Sequence, residues 1–267
     1  ASGSGNISLG DSTHFNSTGG LTEAALSGGG DITLAGGADA DNDNRPDGYA
    51  DGTTATGLLI GQNSNSHVSF YSGGGDVVLR GKSSADSKVF AAYYGILATG
   101  GLTIQSGVGR VVIDGVTDSY ADAVVFGRDV TSAGTGTTIE SASSTGTAIR
   151  ISGQALLDSS SSGVHFGAPD DALLAPNGGS IQIVGVGRRR GIEMGGVDIL
   201  AADGEIVLDG QLQNPTRPGS YALYLYNNAI GAKSGSQVVS SQADIALVGD
   251  SMQVRGGAFA VASDTTG

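Results

Sequence analysis

The sequence contains no cysteine and no tryptophan, and only 5 of its 267 residues are proline. Without cysteine the chain has no disulfide framework, no thiolate metal site and no cysteine nucleophile. A cysteine-free chain suits a secreted protein that crosses a membrane unfolded. Disulfide cross-links and cysteine catalysis are therefore excluded, while an extracellular protein fits.

Positive charge is also scarce. Lysine and arginine together number 13 against 26 aspartates and glutamates, which gives a net charge of −13. A surface of this sign repels a phosphate backbone, so the composition argues against nucleic acid as a partner. No apolar run approaches the ~18 residues of a membrane-spanning helix, which argues against membrane insertion.

Glycine, in contrast, is abundant, with 47 residues. Each glycine in a helix interior costs about 1 kcal/mol relative to alanine, so a helical protein is disfavoured. Branched apolar residues come in short alternating runs separated by Gly, Ser, Asp and Asn, which is typical of many short strands. The sequence therefore predicts an all-β protein.

One motif of alternating aliphatic residues, usually closed by glycine, recurs seven times. It reads DITLAG (31–36), DVVLRG (76–81), RVVIDG (110–115), AIRISG (148–153), SIQIVG (180–185), EIVLDG (205–210) and DIALVG (244–249). Successive side chains of a strand point to opposite faces, so the alternate aliphatic residues form one inward face. Ile183 is predicted to lie in this core beside Ile151 and Leu208. Arg80 and Asp114 are predicted to be outward neighbours that form a cross-strand ion pair.

Two further strands follow each motif. The second strands are GLLIG (57–61), GILAT (95–99), AVVFG (123–127), GVHFG (163–167), GIEMG (191–195), ALYLY (222–226) and AFAVA (258–262). The third are weaker, as in HVSFYS (67–72), GLTIQS (101–106) and VDILAA (197–202). Three short strands per turn predict a parallel right-handed β-helix, a solenoid of about seven to eight three-strand coils if NISLG (6–10) belongs to a first one. A β-propeller would need regular four-strand units, which the variable spacing does not supply.

The connection between the first and second strands varies most in length. It ranges from five residues (186–190) to about twenty (37–56). Long insertions at this corner predict a row of loops along one edge, and loops on a rigid scaffold are where binding usually resides. Neither end shows an evident polar cap, so we expect residues 1–267 to be a single β-helical segment of a longer fibre, with a loop insertion at 37–56.

Three motifs carry a resemblance to a known family. GGGDITLAG (28–36) and GGGDVVLRG (73–81), each followed by a glycine–aliphatic strand, and then GGLTIQSG (100–107), resemble the filamentous haemagglutinin family of two-partner secreted adhesins. The resemblance spans nearly the whole chain. It implies a rod-like protein on a Gram-negative cell surface that acts in adhesion or biofilm cohesion, without catalytic residues. It also implies an outer-membrane transporter as secretion partner, and a host receptor or a cell-surface or matrix polysaccharide as ligand.

The loop 39–51 is the most acidic stretch of the chain. Five carboxylates this close repel one another unless a hard cation takes their oxygens. The stretch is similar to the calcium loops of thrombospondin type 3 and EF-hand-like repeats, although Ala50 stands where a final acid is expected. The predicted calcium ligands are Asp39, Asp41, Asp43, the Arg45 carbonyl, Asp47 and Asp51. A solvated acidic loop without a cation is the alternative.

Two groups of residues could hold a glycan. Tyr221, Tyr224 and Tyr226 are predicted to point outward from one strand and to stack on sugars, although tyrosine is also a common strand residue. Arg188, Arg189 and Arg190 form the only basic run and could pair with an anionic glycan, the alternative being a solvated turn.

One column of the second strands holds the candidates for an enzyme. His165 and Glu193 are predicted neighbours, as a surface contact rather than an acid–base pair. Outward Leu59, Leu97 and Val125 precede them and are predicted to be covered by loops 37–56 and 82–92. A β-helical polysaccharide lyase or glycoside hydrolase needs paired carboxylates or a carboxylate–calcium cluster beside a base. The strands show no such set, so the sequence favours a non-catalytic adhesin or matrix fibre over an enzyme.

Overall fold

The structure, a computed structural model, consists of short strands joined by turns. It describes residues 5–19, 27–39, 46–53, 55–84, 92–127, 136–157, 160–168, 170–215, 217–231 and 244–255. None of these residues is helical, so the described part of the chain has no helix that could cross a membrane. The strands assemble into three sheets whose strand pairings are parallel. The predicted all-β class is confirmed.

Sheet A contains eight strands. In pairing order they are β1 (Ile7–Leu9), β5 (Leu58–Ile60), β8 (Ile96–Ala98), β11 (Val124–Phe126), β14 (Ser162–Phe166), β17 (Arg190–Gly195), β20 (Tyr221–Tyr226) and β23 (Met252–Arg255). Most of these are the predicted second strands. The last predicted one, 258–262, lies outside the described residues, and β23 occupies the position beside β20 instead.

Sheet B contains seven strands, which are the third strands of the repeat. They are β2 (His14–Asn16), β6 (His67–Tyr71), β9 (Gly101–Gln105), β12 (Thr137–Glu140), β15 (Asp171–Ala175), β18 (Val197–Ala201) and β21 (Ala229–Ile230). The weak sequence signal of the third strand is therefore genuine.

Sheet C is built from the recurring motif and has eight strands. They are β3 (Ile32–Leu34), β4 (Ala50–Thr53), β7 (Val77–Ser84), β10 (Val111–Asp118), β13 (Thr147–Ala155), β16 (Ser180–Gly187), β19 (Ile206–Leu212) and β22 (Ile245–Val248). The five central strands run past the closing glycine of the motif, so they are longer than the motif alone indicates.

The chain visits the sheets in a fixed order. From sheet C it passes to sheet A and then to sheet B, and it returns to sheet C one position further along. Neighbouring strands of a sheet are therefore one full circuit apart in sequence. This arrangement is consistent with a parallel β-helix, in which each circuit buries its apolar face only by stacking on the next. Strand β1 extends sheet A before the first motif, as predicted for NISLG.

The core lies inside the three sheets. Ile183 is fully buried and pairs in register with Ile151 on one side and Leu208 on the other, as predicted. Aromatic residues from successive circuits also stack here, with 4.7 Å between the ring centroids of Phe126 and Phe166. Because apolar positions of one circuit meet apolar positions of the next, the core is continuous along the described strands.

The closing glycine of the motif marks a tight corner between sheets C and A. A Cβ added at Gly153 would come within 2.0 Å of the Gly163 carbonyl oxygen, and one at Gly185 within 2.1 Å of the Gly191 carbonyl oxygen. Sheet A backbone passes directly over these positions, so a side chain cannot fit. The recurrence of glycine in the motif thus follows from close backbone approach.

The predicted insertion 37–56 is shorter than expected. Residues 50–53 form strand β4, which pairs with Gly81–Ser84 of β7, while β3 pairs with Val77–Leu79 of the same strand. The chain therefore leaves sheet C after β3 and returns to the same sheet at β4. An antiparallel bridge between Gly36 and Gly48 closes the base of this excursion, which we define as residues 37–49.

Candidate functional site on the outer face of sheet A

The outer face of sheet A carries one column of register-aligned side chains. In order along the sheet the column consists of Ser8, Leu59, Leu97, Val125, His165, Glu193, Tyr224 and Gln253. The predicted neighbourhood of His165 and Glu193 is confirmed by this register. The column changes from apolar to polar between Val125 and His165.

The apolar half of the column is covered. Leu97 and Val125 are buried, and they cluster with Tyr94 and Ala121, with Leu59 packed against the group. The prediction that this stripe is covered is therefore confirmed. The covering side chains in the described chain come from residue 94, just after the predicted loop 82–92, and from the corner 119–123; residues 85–91 lie outside the described residues.

The polar half begins with His165 between two carboxylates. Its Nδ1 lies 3.1 Å from Asp122 Oδ2, and its Nε2 lies 4.0 Å from Glu193 Oε1. Asp122 also accepts a hydrogen bond from the Ser162 backbone N–H, and Glu193 Oε2 accepts one from the Ser162 hydroxyl at 3.1 Å. Both carboxylates are thereby fixed in place around the imidazole.

Arg190 joins this cluster to the tyrosines. Its guanidinium forms an ion pair with Glu193 and stacks over the Tyr224 ring, with 3.9 Å from Cζ to the ring centroid. Burial lowers the pKa of Arg190, and repulsion from Arg189 lowers it further. A guanidinium this close to an aromatic face is stabilised by the cation–π interaction. Arg190 is therefore a structural link rather than a charge available to a ligand.

The three predicted tyrosines form one array. Ring centroids lie 6.0 Å apart for Tyr221 and Tyr224, and 5.6 Å apart for Tyr224 and Tyr226. All three side chains are half-buried on the outer surface of β20. The Tyr226 ring lies flat against the backbone of Gly195, where a Cβ would come within 2.1 Å of the ring. The glycine thus makes room for the last ring of the array.

The basic run 188–190 does not act as a unit. Arg188 donates a hydrogen bond to the Leu157 carbonyl at 3.1 Å, and Arg190 is engaged with Glu193 and Tyr224. Of the three, only Arg189 is exposed. The three arginines therefore do not form a joint binding site for one anionic sugar.

A buried carboxyl lies behind this site. Asp171, at the start of β15, is only 1% exposed, and its Oδ1 accepts the Thr137 backbone N–H at 2.6 Å. Burial raises the pKa of Asp171 to about 7, with opposing contributions from its hydrogen bonds and from His165. Near neutral pH this carboxyl is therefore partly protonated. Sequence alternation gave no sign of it, because a buried carboxyl at the first residue of a strand does not stand out from an exposed one in the pattern.

The predicted calcium ligands fall into three groups. Asp41, Asp43 and Arg45 lie outside the described residues. Asp39 and Asp47 are exposed at the base of the excursion, where the Asp47 N–H donates to the Ala38 carbonyl at 3.1 Å. The described residues contain no group of three or more acidic or histidine side chains arranged around a cation.

Asp51 lies apart from the other predicted ligands. It sits on β4 in register with Lys82, and its Oδ1 is buried without a hydrogen-bond partner among the described residues. Asp39 and Asp47 carry the oxygen ligands that calcium prefers, and the Asp47 N–H bonds to Ala38, the residue before Asp39, whereas Asp51 lies on β4 in sheet C.

The excursion is tied to the outer face of sheet C. The Tyr49 hydroxyl donates to Asp114 Oδ2 at 2.6 Å, and Arg80 Nη1 donates to the Asp47 carbonyl at 2.9 Å. Burial and the hydrogen bond to Asp114 together raise the pKa of Tyr49 to about 12. The register of Arg80 opposite Asp114 is confirmed. The predicted ion pair is wrong, because each side chain is taken up by the excursion, and Asp114 accepts a second bond from Ser152 at 2.8 Å.

Asp122 is the site residue that sequence reasoning missed. It lies at the corner 119–123 between β10 and β11, where the alternation of inward and outward strand residues does not continue. Its only sequence signal is an acidic residue immediately before a predicted second strand. Its place beside His165 results from how that corner folds back over sheet A.

Comparison of the chain with protein families, with curated proteins and with solved structures gave no match. The class of protein is therefore defined by the fold and the site: an all-β protein of three parallel sheets, with an aromatic and charged strip on one outer face.

Proposed function

We propose that the protein is a non-catalytic scaffold that binds glycan along the outer face of sheet A, as an adhesin or biofilm-matrix fibre at the bacterial exterior. One observation carries the proposal: Tyr221, Tyr224 and Tyr226 form a contiguous ring array on a rigid strand. Tyrosine offers a large, stiff apolar face with a polar hydroxyl, and ordering it costs little conformational entropy. The CH face of a sugar ring packs on such a surface.

The setting of the array supports the proposal. Arg190, itself paired with Glu193, stacks on one face of the Tyr224 ring, so the ring is positioned before a ligand arrives. Preorganisation of this kind raises affinity by lowering the cost of ordering on binding. Arg255 lies further out, with its Cζ 5.9 Å from the Tyr224 centroid, and is exposed. It supplies a hydrogen-bond donor at the edge of the array.

The hand of the solenoid, the location of the protein and a calcium ion are further parts of the proposal. We take the solenoid to be right-handed, because connections between parallel strands of one sheet are almost always right-handed. Similarity of the motifs 28–36 and 73–81 to filamentous haemagglutinins supports an extracellular or cell-surface location and secretion through an outer-membrane transporter. A calcium ion in the excursion, held by Asp39, Asp47 and neighbouring oxygens, completes the proposal.

A glycan-array screen followed by calorimetry tests the binding function. We expect Tyr224→Ala to weaken binding of an array hit roughly tenfold, since an aromatic contact is worth about 1 kcal/mol or more. Tyr71→Ala is the matched control, because Tyr71 is also half-buried on the outside of a sheet but belongs to sheet B. Equal affinity of wild type and Tyr224→Ala for every hit would contradict the proposal.

A second function is favoured by one specific observation. Asp122 and Glu193 flank His165, and carboxylates beside a base are the groups that a polysaccharide lyase or glycoside hydrolase requires. Glu193 is already neutralised by Arg190, which makes it a poor general acid. Release of new reducing ends from a bound polysaccharide, lost in His165→Ala, would establish the enzyme in place of the scaffold.

A further inference from the structure

A pocket of about 270 Å³ opens where the apolar and polar halves of the sheet A column meet. Its lining combines Tyr94, Tyr120 and two alanines with Asp122, His165, Ser160 and Ser161. The pocket thus offers both aromatic surface and hydrogen-bonding groups. Small-molecule sites commonly combine an apolar lining with a few placed polar groups.

Both walls of the pocket are held in position. Tyr94 packs on Leu97 and Val125, its N–H donates to Thr56 Oγ1 at 3.3 Å, and its carbonyl accepts the Gly57 N–H at 3.0 Å. Opposite, Asp122 is fixed by two hydrogen bonds, from the Ser162 N–H and from His165. The site is therefore built before any ligand binds, which favours specific recognition.

The lining matches the chemistry of one sugar residue. A pyranose has an apolar CH face that suits the two tyrosines, and hydroxyls that can donate to the Asp122 carboxylate and exchange hydrogen bonds with the serines. The volume lies just below the ~300–1,000 Å³ of typical drug-sized sites, so a single ring fits better than a longer ligand.

Charge selects the kind of sugar. The carboxylate of Asp122 lines the pocket, Glu193 lies on the other side of His165, and the whole chain carries −13. The nearby Arg190 is already paired with Glu193. A uronic acid or sulfated sugar would meet uncompensated negative charge here, whereas a neutral sugar would not.

Position links the pocket to the tyrosine array. His165 lies two register steps from Tyr224, with Glu193 between them. Each step along a parallel sheet is about 4.8 Å, close to the length of one sugar residue in an extended chain. A glycan that lies along the solenoid axis and crosses the tyrosine array at Tyr224 therefore reaches the pocket about two sugars further on.

We infer that the pocket of Asp122, His165, Tyr94 and Tyr120 binds one sugar residue of a neutral glycan that crosses the tyrosine array at Tyr224. This inference rests on the proposed glycan-binding function. It adds the ligand class and a second subsite, so that affinity depends on chain length.

The test uses neutral hexose disaccharides and tetrasaccharides, and uronic-acid tetrasaccharides of the same linkage, titrated calorimetrically against the whole chain. We expect the neutral tetrasaccharide to bind best. Tyr120→Ala should weaken the tetrasaccharide roughly tenfold and leave the disaccharide unchanged. Tyr120 is 38% exposed, so its removal should leave the fold intact, which circular dichroism checks. Asp122→Asn tests the polar wall, and Tyr71→Ala is the control.

The outcomes separate the two proposals. Loss of affinity in Tyr224→Ala but not in Tyr120→Ala or Asp122→Asn would overturn the pocket and leave the glycan-binding scaffold standing. Loss in Tyr120→Ala alone would support the pocket and remove the tyrosine array. Tighter binding of the uronic-acid tetrasaccharide would overturn the neutral specificity, and no binding of any oligosaccharide would overturn both proposals.

Discussion

At the scale of single residues, Glu193 shows how side chains of successive circuits satisfy one another. It pairs with Arg190 on its own strand and accepts from Ser162 on the preceding one. A carboxylate that is this enclosed is costly unless it is paired and hydrogen-bonded. The polar strip is thus a connected network, and removing any one partner leaves another uncompensated.

Asp171 gives a pH prediction. Its pKa in the folded protein is raised to about 7, above the ordinary aspartate value of 3.8, so the folded state binds the proton more tightly than the unfolded state. The stability that this proton provides is fully present below about pH 4, is lost as pH rises towards 7, and stays lost above. At ~1.4 kcal/mol per pKa unit, the loss is at most about 4 kcal/mol.

Asp171→Asn should remove this decrease of the unfolding free energy with pH, because the amide keeps the acceptor for the Thr137 N–H without gaining a charge. Urea unfolding between pH 4.5 and 8 measures the slope of the unfolding free energy against pH. Asp203→Asn, at an exposed position, serves as the control and should leave the slope unchanged. The assignment to Asp171 fails when the slope persists in Asp171→Asn.

Residue-level prediction from sequence succeeded where strand alternation applies. The register of Arg80 opposite Asp114 and of His165 opposite Glu193 follows from the repeat alone. It failed at corners, where alternation stops. Asp122 lies in such a corner, and the hydrogen bonds of Asp114 depend on Tyr49, whose position no periodic pattern specifies.

At the scale of elements, strands β17 and β20 of sheet A depart from strict in-and-out alternation at their first residues. Gly191 and Ile192 are both buried, as are Ala222 and Leu223 one circuit later. Because Ala222 and Leu223 both point inward, Tyr221 points outward. Under strict alternation Tyr221 and Tyr224 would lie on opposite faces of the sheet, whereas here both lie on the outer face. The tyrosine array therefore depends on the tight corner that the closing glycine of sheet C allows.

Strand β16 provides a test of the core. Ile183→Asp would bury an unpaired carboxylate between Ile151 and Leu208, at a cost of several kcal/mol. Because circuits are stabilised by their neighbours, we expect cooperative unfolding to be lost locally. Circular dichroism during urea unfolding is the measurement. Gln182→Asp, one residue away and outward-facing, should melt like wild type. Wild-type melting of Ile183→Asp would show that β16 does not contribute its aliphatic face to the core.

The excursion 37–49 supplies a second element-scale prediction. Tyr49→Phe removes the hydrogen bond to Asp114, which should cost about 1–2 kcal/mol because the acceptor is charged. We expect faster amide hydrogen exchange at residues 46–50, and little change in the core strands. Tyr71→Phe is the control. Unchanged exchange in Tyr49→Phe would mean that the Arg80 contact and the backbone bonds at Gly36–Gly48 and Ala38–Asp47 hold the base of the excursion without the Tyr49 bond.

Element prediction from sequence was accurate for type and order, since the repeat specifies three strands per circuit. Boundaries were less accurate. Sheet C strands run past the closing glycine, and β4 lies inside the predicted insertion. The reason is that β4 contains Ala50, Asp51 and Gly52, which lack the branched residues that signal a strand, and its pairing with β7 is imposed by the neighbouring strand.

At the scale of the whole molecule, stability is shared along the stack. Most circuits contribute one strand to each sheet, so the free energy of the molecule is approximately a sum over circuits and the contacts between neighbouring circuits. The excursion is connected to this stack through Tyr49 and Arg80. Anything that orders the excursion should therefore also stabilise the circuits to which it is tied.

Calcium is the ligand that tests this coupling. Extracellular calcium sites have dissociation constants of about 10⁻⁴ to 10⁻³ M, and binding to the folded state alone stabilises it by RT ln(1 + [L]/Kd). At about 10 mM calcium the expected gain is therefore roughly 1.4–2.7 kcal/mol, visible as a higher melting temperature in differential scanning calorimetry. Asp39→Ala/Asp47→Ala should abolish the rise, because these are the two proposed carboxylate ligands at the base of the excursion, where the Asp47 N–H bonds to Ala38. Magnesium at the same ionic strength controls for screening, since it demands a stricter geometry and dehydrates reluctantly. An equal rise in wild type and the double variant, or with either cation, would leave the acidic excursion as a solvated loop.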